Sequence, residues 1–320
     1  MKTVVFFNNK GGVGKTSLLY HCAYALADAG KNVIVADLDP QANLTSFFLD
    51  DEGIDRVWSN PSVEGPTVYS ALEPLLRGTG DIDAFRARKV EGESKLRLIC
   101  GDMRLAEVED ELSAQWPNCL QQGLIQERAI RVTTAFHRML TEVSRQHAVD
   151  YALLDVGPNF GAINRCALIA ADYVLIPLGA DLFSIRGLRN LGPKLSSWRT
   201  QWEQRKAAAP DAIRAALPAG AMLPLGFTVN MFNVSGGQPA AAFKNWIDQA
   251  PDAFAETFQR RDAGDHLGSI KNFNSQMAVA QKERRPIFRV NKTKDARDVA
   301  ELFEGLAARI IARIEHLEAN

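Results

Sequence analysis

The chain has 320 residues, of which 46% are hydrophobic, and its 37 Lys and Arg residues almost balance its 38 Asp and Glu residues. This length is ample for a large buried core, and the ordinary composition excludes a disordered, collagen-like or low-complexity chain. The net charge of −1 also excludes a chain that is basic throughout, although it leaves room for a local basic patch.

The spacing of the cysteines and the first residues of the chain indicate the cellular compartment of the protein. The four cysteines are scattered without a C-x-x-C pair, which favours a reducing environment over a disulfide framework or a structural zinc site. The N-terminus passes from a short apolar run directly into a Gly-rich turn, without the pattern of a signal peptide. No stretch approaches the roughly 20 apolar residues of a membrane span. We therefore expect a cytoplasmic protein that does not insert into a membrane.

Strand and helix patterns alternate from the start of the chain. Residues 3–7 predict a buried strand, residues 16–29 a helix and residues 32–36 a second buried strand. Further strands are predicted from apolar runs at 96–100, 151–154, 173–176 and 225–229. Further helices are predicted from apolar residues three and four apart at 127–147 and 301–318.

Continuous apolar strands joined through helices indicate an α/β fold, with a mostly parallel twisted sheet flanked by helices on both faces. No segment has the composition of an interdomain linker, so we expect one domain over residues 1–320. Two polar or Ala/Pro-rich stretches, near 50–66 and 204–220, predict surface loops or weak helices.

A Gly-rich segment lies between the first strand and the first helix. Its residues are Lys10, Gly11, Gly12, Val13, Gly14, Lys15, Thr16 and Ser17. Glycines let backbone N–H groups turn towards phosphate oxygens, and the helix N-terminus adds a favourable partial charge. Lys15 would reach the β- and γ-phosphates, and the Thr16 hydroxyl would ligate Mg²⁺. The alternative is a Gly-rich turn that binds nothing, but the strand-loop-helix context and the intact G-K-T ending favour a phosphate-binding loop.

The loop departs from the strict G-x-x-x-x-G-K-[ST] pattern, because Asn9 stands in place of the first glycine and a second lysine, Lys10, follows it. This variant resembles the deviant Walker A motif of the ParA/MinD family of ATPases. Further segments that resemble this family follow in the expected order: 37–45 (DLDPQANLT), 98–105 with Glu107 and Glu109, 150–155 (DYALLD, similar to Walker B) and 170–177.

The resemblance implies roles for these residues. In such ATPases two subunits enclose two ATP molecules, and Lys10 would stabilise phosphate charge on the partner's nucleotide. Asp39 would orient or deprotonate the attacking water, while Asp37 and Asp155, with Thr16, would hold Mg²⁺ or its water shell. The alternative for the D-x-D pair is a helix cap or two solvated carboxylates.

Three other positions are less specific. Gly157 stands where partition ATPases more often have a second proline, in a segment expected to sense the γ-phosphate. Asn230 ends a predicted strand where related folds read the adenine edge, although an Asn there is more often a turn residue. Pro286 resembles the family's late loop near the base, or it belongs to ordinary core packing.

The stretch 271–297 carries eight basic and two acidic residues, a net charge of +6. The candidates for contact with DNA are Lys271, Lys282, Arg284, Arg285, Arg289, Lys292 and Lys294. Such a surface contacts phosphates without reading sequence, or it is merely a solvated face. Arg186 and Arg189 lie in a segment that partition ATPases use near the dimer interface, and the choice between DNA and subunit contact stays open for them.

Together these features predict an ATPase with ATP and Mg²⁺ as ligands, an ATP-dependent homodimer, nonspecific DNA as one partner and a ParB-type adaptor that stimulates hydrolysis as another. When ATP-bound, it would associate with the nucleoid. The alternatives are a relative that positions a non-DNA protein cargo and a membrane-cycling, MinD-like regulator. The acidic tip at 315–318 disfavours the second, because a membrane-surface helix needs a basic amphipathic tail. A nitrogenase-reductase-like protein would need paired cysteines, and a small-molecule ligase a substrate pocket that the sequence does not reveal.

Overall fold

A computed structural model of the chain describes residues 1–82, 85–235, 238–273, 275–290 and 294–319. The strands are β1 (Lys2–Phe6), β2 (Val33–Asp37), β3 (Arg88–Lys89), β4 (Leu96–Ile99), β5 (Tyr151–Asp155), β6 (Tyr173–Gly179), β7 (Leu223–Phe232), β8 (Val234–Ser235), β9 (Gln238–Pro239) and β10 (His266–Lys271).

The α-helices are α1 (Lys15–Asp28), α2 (Asn43–Phe48), α3 (Asp51–Ser59), α4 (Pro61–Glu64), α5 (Val68–Arg77), α6 (Val108–Asn118), α7 (Gly123–Thr133), α8 (Ala135–Gln146), α9 (Ala162–Ile169), α10 (Leu182–Ala208), α11 (Asp211–Arg214), α12 (Ala241–Phe258), α13 (Ser275–Glu283), α14 (Ile287–Val290) and α15 (Lys294–Ala319). Two short 3₁₀ helices span Met103–Glu107 and Ala263–Asp265.

Eight of the described strands form one sheet, in the order β10-β7-β6-β1-β5-β2-β4-β3. Neighbouring strands are parallel, except that β3 runs antiparallel to β4 at the edge. The pair β8 and β9 forms a separate small hairpin. Along β1, Val4 and Val5 are both fully buried but belong to different apolar clusters on opposite faces of the sheet. Helices therefore cover both faces, which confirms the predicted α/β fold.

The last helix closes one of these faces. Leu306, Ile310 and Ile314 on α15 are at most 1% exposed and pack with α1 residues such as Leu19 and Leu26. The apolar stripe predicted over 301–318 is therefore core packing and is not presented to a membrane surface. Within the described ranges, no helix combines the length and the apolarity that a bilayer crossing requires.

Two secondary-structure predictions are wrong in detail. The helix predicted over 127–147 is interrupted at Thr134, whose φ of −97° and ψ of 11° separate α7 from α8. The Thr134 hydroxyl donates to the Ile130 carbonyl oxygen at 2.7 Å, and such side-chain bonding competes with the helix. The edge strands β3 and β10 escape prediction, because β3 has two residues and Gly268 and Ser269 interrupt the apolar pattern of β10.

The two stretches predicted as surface loops or weak helices contain helical turns. The stretch 50–66 follows the end of α2 and contains α3 and α4. The Asp50 carboxylate caps α3 by accepting from the Gly53 N–H at 2.7 Å. The start of 204–220 belongs to α10, where the buried Trp202 and Arg205 hold the helix to residue 208. Tertiary packing thus extends this helix into a segment of weak sequence pattern.

A buried histidine joins α1 to the late segment around α14. His21 is 0% exposed, its Nδ1 lies 2.7 Å from the Ser17 carbonyl oxygen, and its Nε2 accepts from the Ile287 N–H at 3.1 Å. The ring stacks on Phe303 at 4.8 Å between centroids. Burial lowers the pKa of His21 to about 4, so the ring is neutral, with Nδ1–H donating and Nε2 accepting.

This depressed pKa predicts an acid-sensitive contribution to stability. Because the unfolded chain takes up the proton first, the free energy of unfolding is intact above pH 6.5 and falls as the pH drops towards 4. Between pH 7 and pH 5 the loss from His21 is about 2 kcal/mol. Urea titrations at both pH values check this, with His21→Gln as the comparison. An equal loss in the variant would contradict the assignment.

Candidate active site

The Gly-rich segment forms a loop between β1 and α1 at the carboxyl edge of the sheet. Gly12 and Gly14 have φ values of +72° and +77°, which L side chains rarely adopt. A Cβ at Gly12 would meet no atom within 4 Å, so the space beside the loop is open. Gly14 is the N-cap of α1 and supplies no side-chain cap, which leaves the first-turn N–H groups for ligand oxygens.

Lys15 lies inside this loop. Its side chain is almost fully buried, and its Nζ donates to the Lys10 carbonyl oxygen at 3.4 Å. Burial lowers the pKa of Lys15, while the charges of Asp155 and Asp39 act in the opposite direction. The ammonium group is therefore held close to two carboxylates, at the point where phosphate oxygens would enter.

Asp37 and Asp155 end two adjacent strands and are direct partners in the register of β2 and β5. Both are 0% exposed. Thr45 donates to Asp37 Oδ2 through its N–H and its hydroxyl, each at 2.7 Å, and Thr16 Oγ1 donates to Asp155 Oδ2 at 2.7 Å. Burial raises the pKa of both carboxyl groups; the charge of Asp37 raises the pKa of Asp155 further, and the charge of Asp39 raises that of Asp37.

The remaining oxygens of these carboxylates indicate which kind of ligand the site fits. Asp37 Oδ1 and Asp155 Oδ1 are buried and have no hydrogen-bond partner among the described residues. Carboxylate and hydroxyl oxygens are the ligands that Mg²⁺ uses, commonly through retained waters, so the donor set of Thr16, Asp37 and Asp155 fits this ion. The open glycine loop fits the phosphate chain that Mg²⁺ accompanies.

Asp39 lies two residues beyond β2 and is only partly buried. Its Oδ1 accepts from the Gln41 N–H at 3.0 Å, and a Cβ at Gly157 would lie 3.4 Å from the same oxygen. The carboxylate thus faces the segment after β5, beside Lys15 and the buried pair. A carboxylate here has access to solvent, which a group that positions water requires.

The segment after β5 is held by two side chains, Asn164 on α9 and Glu109 on α6. Asn164 donates through Nδ2 to the carbonyl oxygens of Gly157 and Asn159, both at 2.7 Å. Glu109 caps α9 by accepting from the N–H groups of Ala162 and Ile163, the latter at 3.0 Å. Both contacts make the position of this segment depend on α9.

Lys10 points away from Lys15 and towards the start of α10. Its Nζ lies 2.5 Å from Asp181 Oδ2 and 3.5 Å from the Ser184 hydroxyl. Asp181 also caps α10, accepting from the N–H groups of Phe183 and Ser184 at 2.9 and 3.0 Å. The Lys10 side chain is one-third exposed, so a cation tied to a helix N-cap lies at the surface beside the loop.

The other predicted nucleotide contacts are divided between two places. Asn230 Nδ2 donates to the Val13 carbonyl oxygen at 3.1 Å, and Asn230 lines a cavity of about 120 Å³ together with Gly14, Ser17, Met231, Phe273 and Met277. Pro286 does not line this cavity. It is buried in another cleft, with Tyr24, Phe48 and Arg289, which favours the core-packing alternative for Pro286.

The predicted DNA-contacting residues are similarly divided. Lys271, Lys282 and Arg285 are exposed, and Arg284 is half-buried. Arg289 forms ion pairs with Asp28 and Glu93 and stacks over Tyr24, so its charge is neutralised within the chain. Lys292 lies outside the described residues, and Lys294 is the first residue of α15.

Arg186 and Arg189 both lie on α10, and both are exposed. Arg189 pairs with Glu256 at 3.0 Å. The choice between DNA and subunit contact stays open for these two residues.

Four side chains that organise the site have no role assigned from the sequence: Thr45, Glu109, Asn164 and Asp181. Glu109 belongs to a segment that resembles the family, but its contact with α9 was not predicted. Thr45 does fall within the DPQANLT segment, but its role depends on the return of α2 towards β2. Asp181 precedes a helix and reads as an N-cap, a signal that predicts α10 without predicting its contact with Lys10.

The double hydrogen bond from Thr45 generates a prediction. Thr45→Val removes the hydroxyl that donates to Asp37 and accepts from the Gly101 N–H at 2.8 Å, and so leaves buried polar groups unpaired. We expect the free energy of unfolding to fall by about 1–3 kcal/mol and Mg²⁺-dependent ATP affinity to fall with it. Thr45→Ser keeps the hydroxyl and is the control. Equal behaviour of the two variants in chemical denaturation and nucleotide titration would contradict this role.

Comparison with known proteins agrees with this geometry. The model of a family described as AAA domain matches residues 1–206. The chain is 31% identical over 191 residues to the sporulation initiation inhibitor protein Soj of Bacillus subtilis, covering 59% of this chain and 63% of Soj. It is 28% identical over 197 residues to the chromosome partitioning protein ParA of Caulobacter vibrioides, covering 60% and 61%. The chain thus spans less than two thirds of the length of each relative.

Solved structures extend the likeness to the whole fold. A crystal structure of a protein from Corynebacterium diphtheriae superposes with a TM-score of 0.73 at 25% identity, over 98% of this chain and 99% of that one. The family match covers the loop, both buried carboxylates and the segment after β5. The chain therefore belongs to the ParA/MinD family of P-loop partition ATPases.

Proposed function

We propose that this chain is a Mg²⁺-dependent ATP hydrolase of the partition type, which dimerises around ATP, binds nonspecific DNA in that state and is released by hydrolysis. One observation carries the proposal: the glycine loop holds Lys15 within electrostatic reach of Asp155 and Asp39, and the buried carboxylates of Asp155 and Asp37 each have an Oδ1 atom with no partner among the described residues. This set of groups is suited to a phosphate chain with its metal ion.

Each residue of the loop has a task in binding. The Gly12 and Gly14 conformations let the backbone wrap the phosphates, and Lys15 supplies a cation that is already desolvated. Thr16 would turn its hydroxyl from Asp155 towards the metal ion, leaving Asp155 and Asp37 to hold the ion's waters. Bound Mg²⁺ and ATP would supply the transferable phosphoryl group and the charge that offsets its oxygens.

Asp39 is proposed to position the attacking water. Its carboxylate is the most accessible of the three acids around Lys15, and it accepts only a backbone N–H in the described contacts. A second oxygen is thus left to accept a proton from water. Asp37 and Asp155 are fully buried, which suits a metal-holding role better than proton transfer with solvent.

Lys10 is proposed to act on the nucleotide of a second subunit. Within one chain its ammonium group pairs with Asp181 and is one-third exposed, so it is accessible to a second subunit. Transfer of its ammonium group to the partner's phosphates would stabilise transition-state charge, as an arginine finger does. The exposed Phe183, at the start of α10, is suited to burial in the same dimer contact.

The DNA cargo is supported by the family and by charge. One relative is a chromosome partitioning protein. Lys271 lines the cavity beside Asn230, Lys282 lies on α13, and Arg284 and Arg285 line the cleft that holds Pro286. Arg289 is omitted from this set because its two ion pairs neutralise it. A ParB-type adaptor is proposed as the partner that stimulates hydrolysis.

Retention on nonspecific duplex DNA tests whether DNA binding depends on the bound nucleotide. We expect binding with ATP, little with ADP or without nucleotide, and a steep loss as salt rises, because phosphate contacts release counterions. Filter retention or fluorescence anisotropy at several salt concentrations measures this. Equal DNA binding with ATP, with ADP and without nucleotide would contradict this dependence. Absence of DNA binding with ATP would favour a protein cargo.

Three substitutions separate the proposed steps. Lys15→Ala should abolish nucleotide binding, Lys10→Ala should bind ATP but fail to dimerise, and Asp39→Ala should bind ATP, dimerise and lose at least about 100-fold in hydrolysis rate. Equilibrium nucleotide binding, light scattering and phosphate release measure these effects. The exposed Asp51→Ala is the control for Asp39. Normal hydrolysis by Asp39→Ala would show that another group positions the water.

A further inference from the structure

The antiparallel edge of the sheet carries a group of basic side chains outside the site described above. We call it the edge cluster, and its members are Arg86, Lys89, Lys95, Arg97 and His147. Lys89 on β3 and Arg97 on β4 are direct partners in the register. Directly opposed residues project from the same face, roughly 5 Å apart, and like charges in this arrangement destabilise a sheet.

The end of α8 brings the other members to the same place. Gln146 Nε2 donates to the Phe85 carbonyl oxygen at 2.9 Å, which fixes the residue before Arg86 against the helix end. Burial lowers the pKa of His147, and the charges of Arg97 and Arg86 lower it further. His147 therefore lies within the electrostatic reach of both arginines.

A cavity of about 300 Å³ opens among these side chains. Lys95, Arg97 and His147 line it, with Asn32, Ser94 and Gln146 as neutral polar neighbours, and no carboxylate is among its lining residues. In the described part of the chain none of the five cluster residues forms an ion pair. Lys95 donates to the Gly30 carbonyl oxygen at 2.5 Å, a neutral acceptor that leaves the charge of the ammonium group in place.

Three nearby carboxylates form ion pairs or hydrogen bonds with residues outside the edge cluster. Glu64 pairs with Arg88 at 3.0 Å, and Glu93 pairs with Arg289. Asp150 accepts from the Asn32 N–H at 2.8 Å, which satisfies one of its oxygens within the chain. In the described part of the chain, the four Lys and Arg residues of the edge cluster thus outnumber Glu91 and Asp150, the nearby carboxylates that form no ion pair, although the chain as a whole has a net charge of −1.

We propose that the edge cluster is a contact surface for the phosphate backbone of DNA, additional to the segment 271–285. It rests on the proposed function, since it presumes that the chain binds DNA. The cavity is lined by residues at the amino ends of β2, β4 and β5, whereas the nucleotide site lies at the carboxyl ends of these strands. DNA and ATP would therefore not compete for the same groups.

A matched pair of variants tests this surface. The edge variant combines Arg86→Gln, Lys89→Gln and Arg97→Gln. The control variant combines Arg77→Gln, Arg214→Gln and Arg261→Gln, which changes the net charge equally. Each control arginine is exposed and already paired, with Glu73, Asp211 and Asp252 at 2.6, 2.8 and 2.5 Å.

Binding to a nonspecific duplex is measured with ATP at rising salt, and ATP affinity is measured in parallel as a check on folding. The edge variant should bind DNA at least about ten-fold more weakly than the wild-type chain. The slope of log affinity against log salt concentration should become smaller in magnitude by up to about 3. Its ATP affinity should be unchanged. The control variant should bind DNA like the wild-type chain.

Three results would overturn the inference. If the edge variant bound DNA as tightly as the wild-type chain, the edge cluster would not contact DNA. Its charges would then serve to block edge-to-edge strand pairing. An equal loss in the control variant would mean that net charge, and not this surface, governs binding. A wild-type chain that binds no DNA with any nucleotide would refute the proposed DNA function itself, which the first two results leave intact.

Discussion

Two carboxylates buried side by side at the ends of β2 and β5 are the constraint on which this site depends. The parallel register places Asp37 opposite Asp155, and water reaches neither of them. Two like charges in that position are tolerable only with cations and donors around them. Thr45, Thr16 and the ammonium group of Lys15 supply part of that compensation, and the unpartnered Oδ1 atoms leave room for a metal ion. The loop, the strand order and α2 can all be understood from this requirement.

The second lysine of the loop depends on a different part of the fold. Lys10 is held by Asp181, and Asp181 is held by the first turn of α10. A movement of Lys10 therefore breaks an ion pair with the N-cap of the longest helix in the described chain. The loop and α10 are coupled through this one carboxylate. Asn164 and Glu109 couple α9 to the segment after β5 in the same manner.

Charge in this protein is locally uneven despite a near-neutral total. The sequence places +6 between residues 271 and 297, yet the fold neutralises Arg289 with Asp28 and Glu93. The fold also gathers basic residues from three separate parts of the chain, 86–89, 95–97 and 147, at one edge of the sheet. Charge counts along a sequence miss both effects, because pairing and clustering depend on which elements lie next to each other.

The α/β class, most of the central strands and the glycine loop between β1 and α1 could be predicted from the sequence alone. These follow from short-range patterns: continuous apolar runs for buried parallel strands, and the spacing of glycines and Lys15 before a helix. The resemblance to the ParA/MinD family also indicated Asp37, Asp39 and Asp155, and the parallel register of β2 and β5 explains why Asp37 and Asp155 meet at one edge of the sheet.

The partners of these groups, by contrast, follow from the tertiary structure. The Lys10–Asp181 pair joins residues 171 apart in the chain, and the contact of His21 with Ile287 joins residues 266 apart. Neighbours that are remote in sequence also determine three further features. These are the edge strand β10, the break at Thr134 and the position of Pro286 outside the cavity lined by Asn230. Local patterns record the preferences of a segment, whereas hydrogen bonds and ion pairs between distant segments form only when the sheet order brings them together.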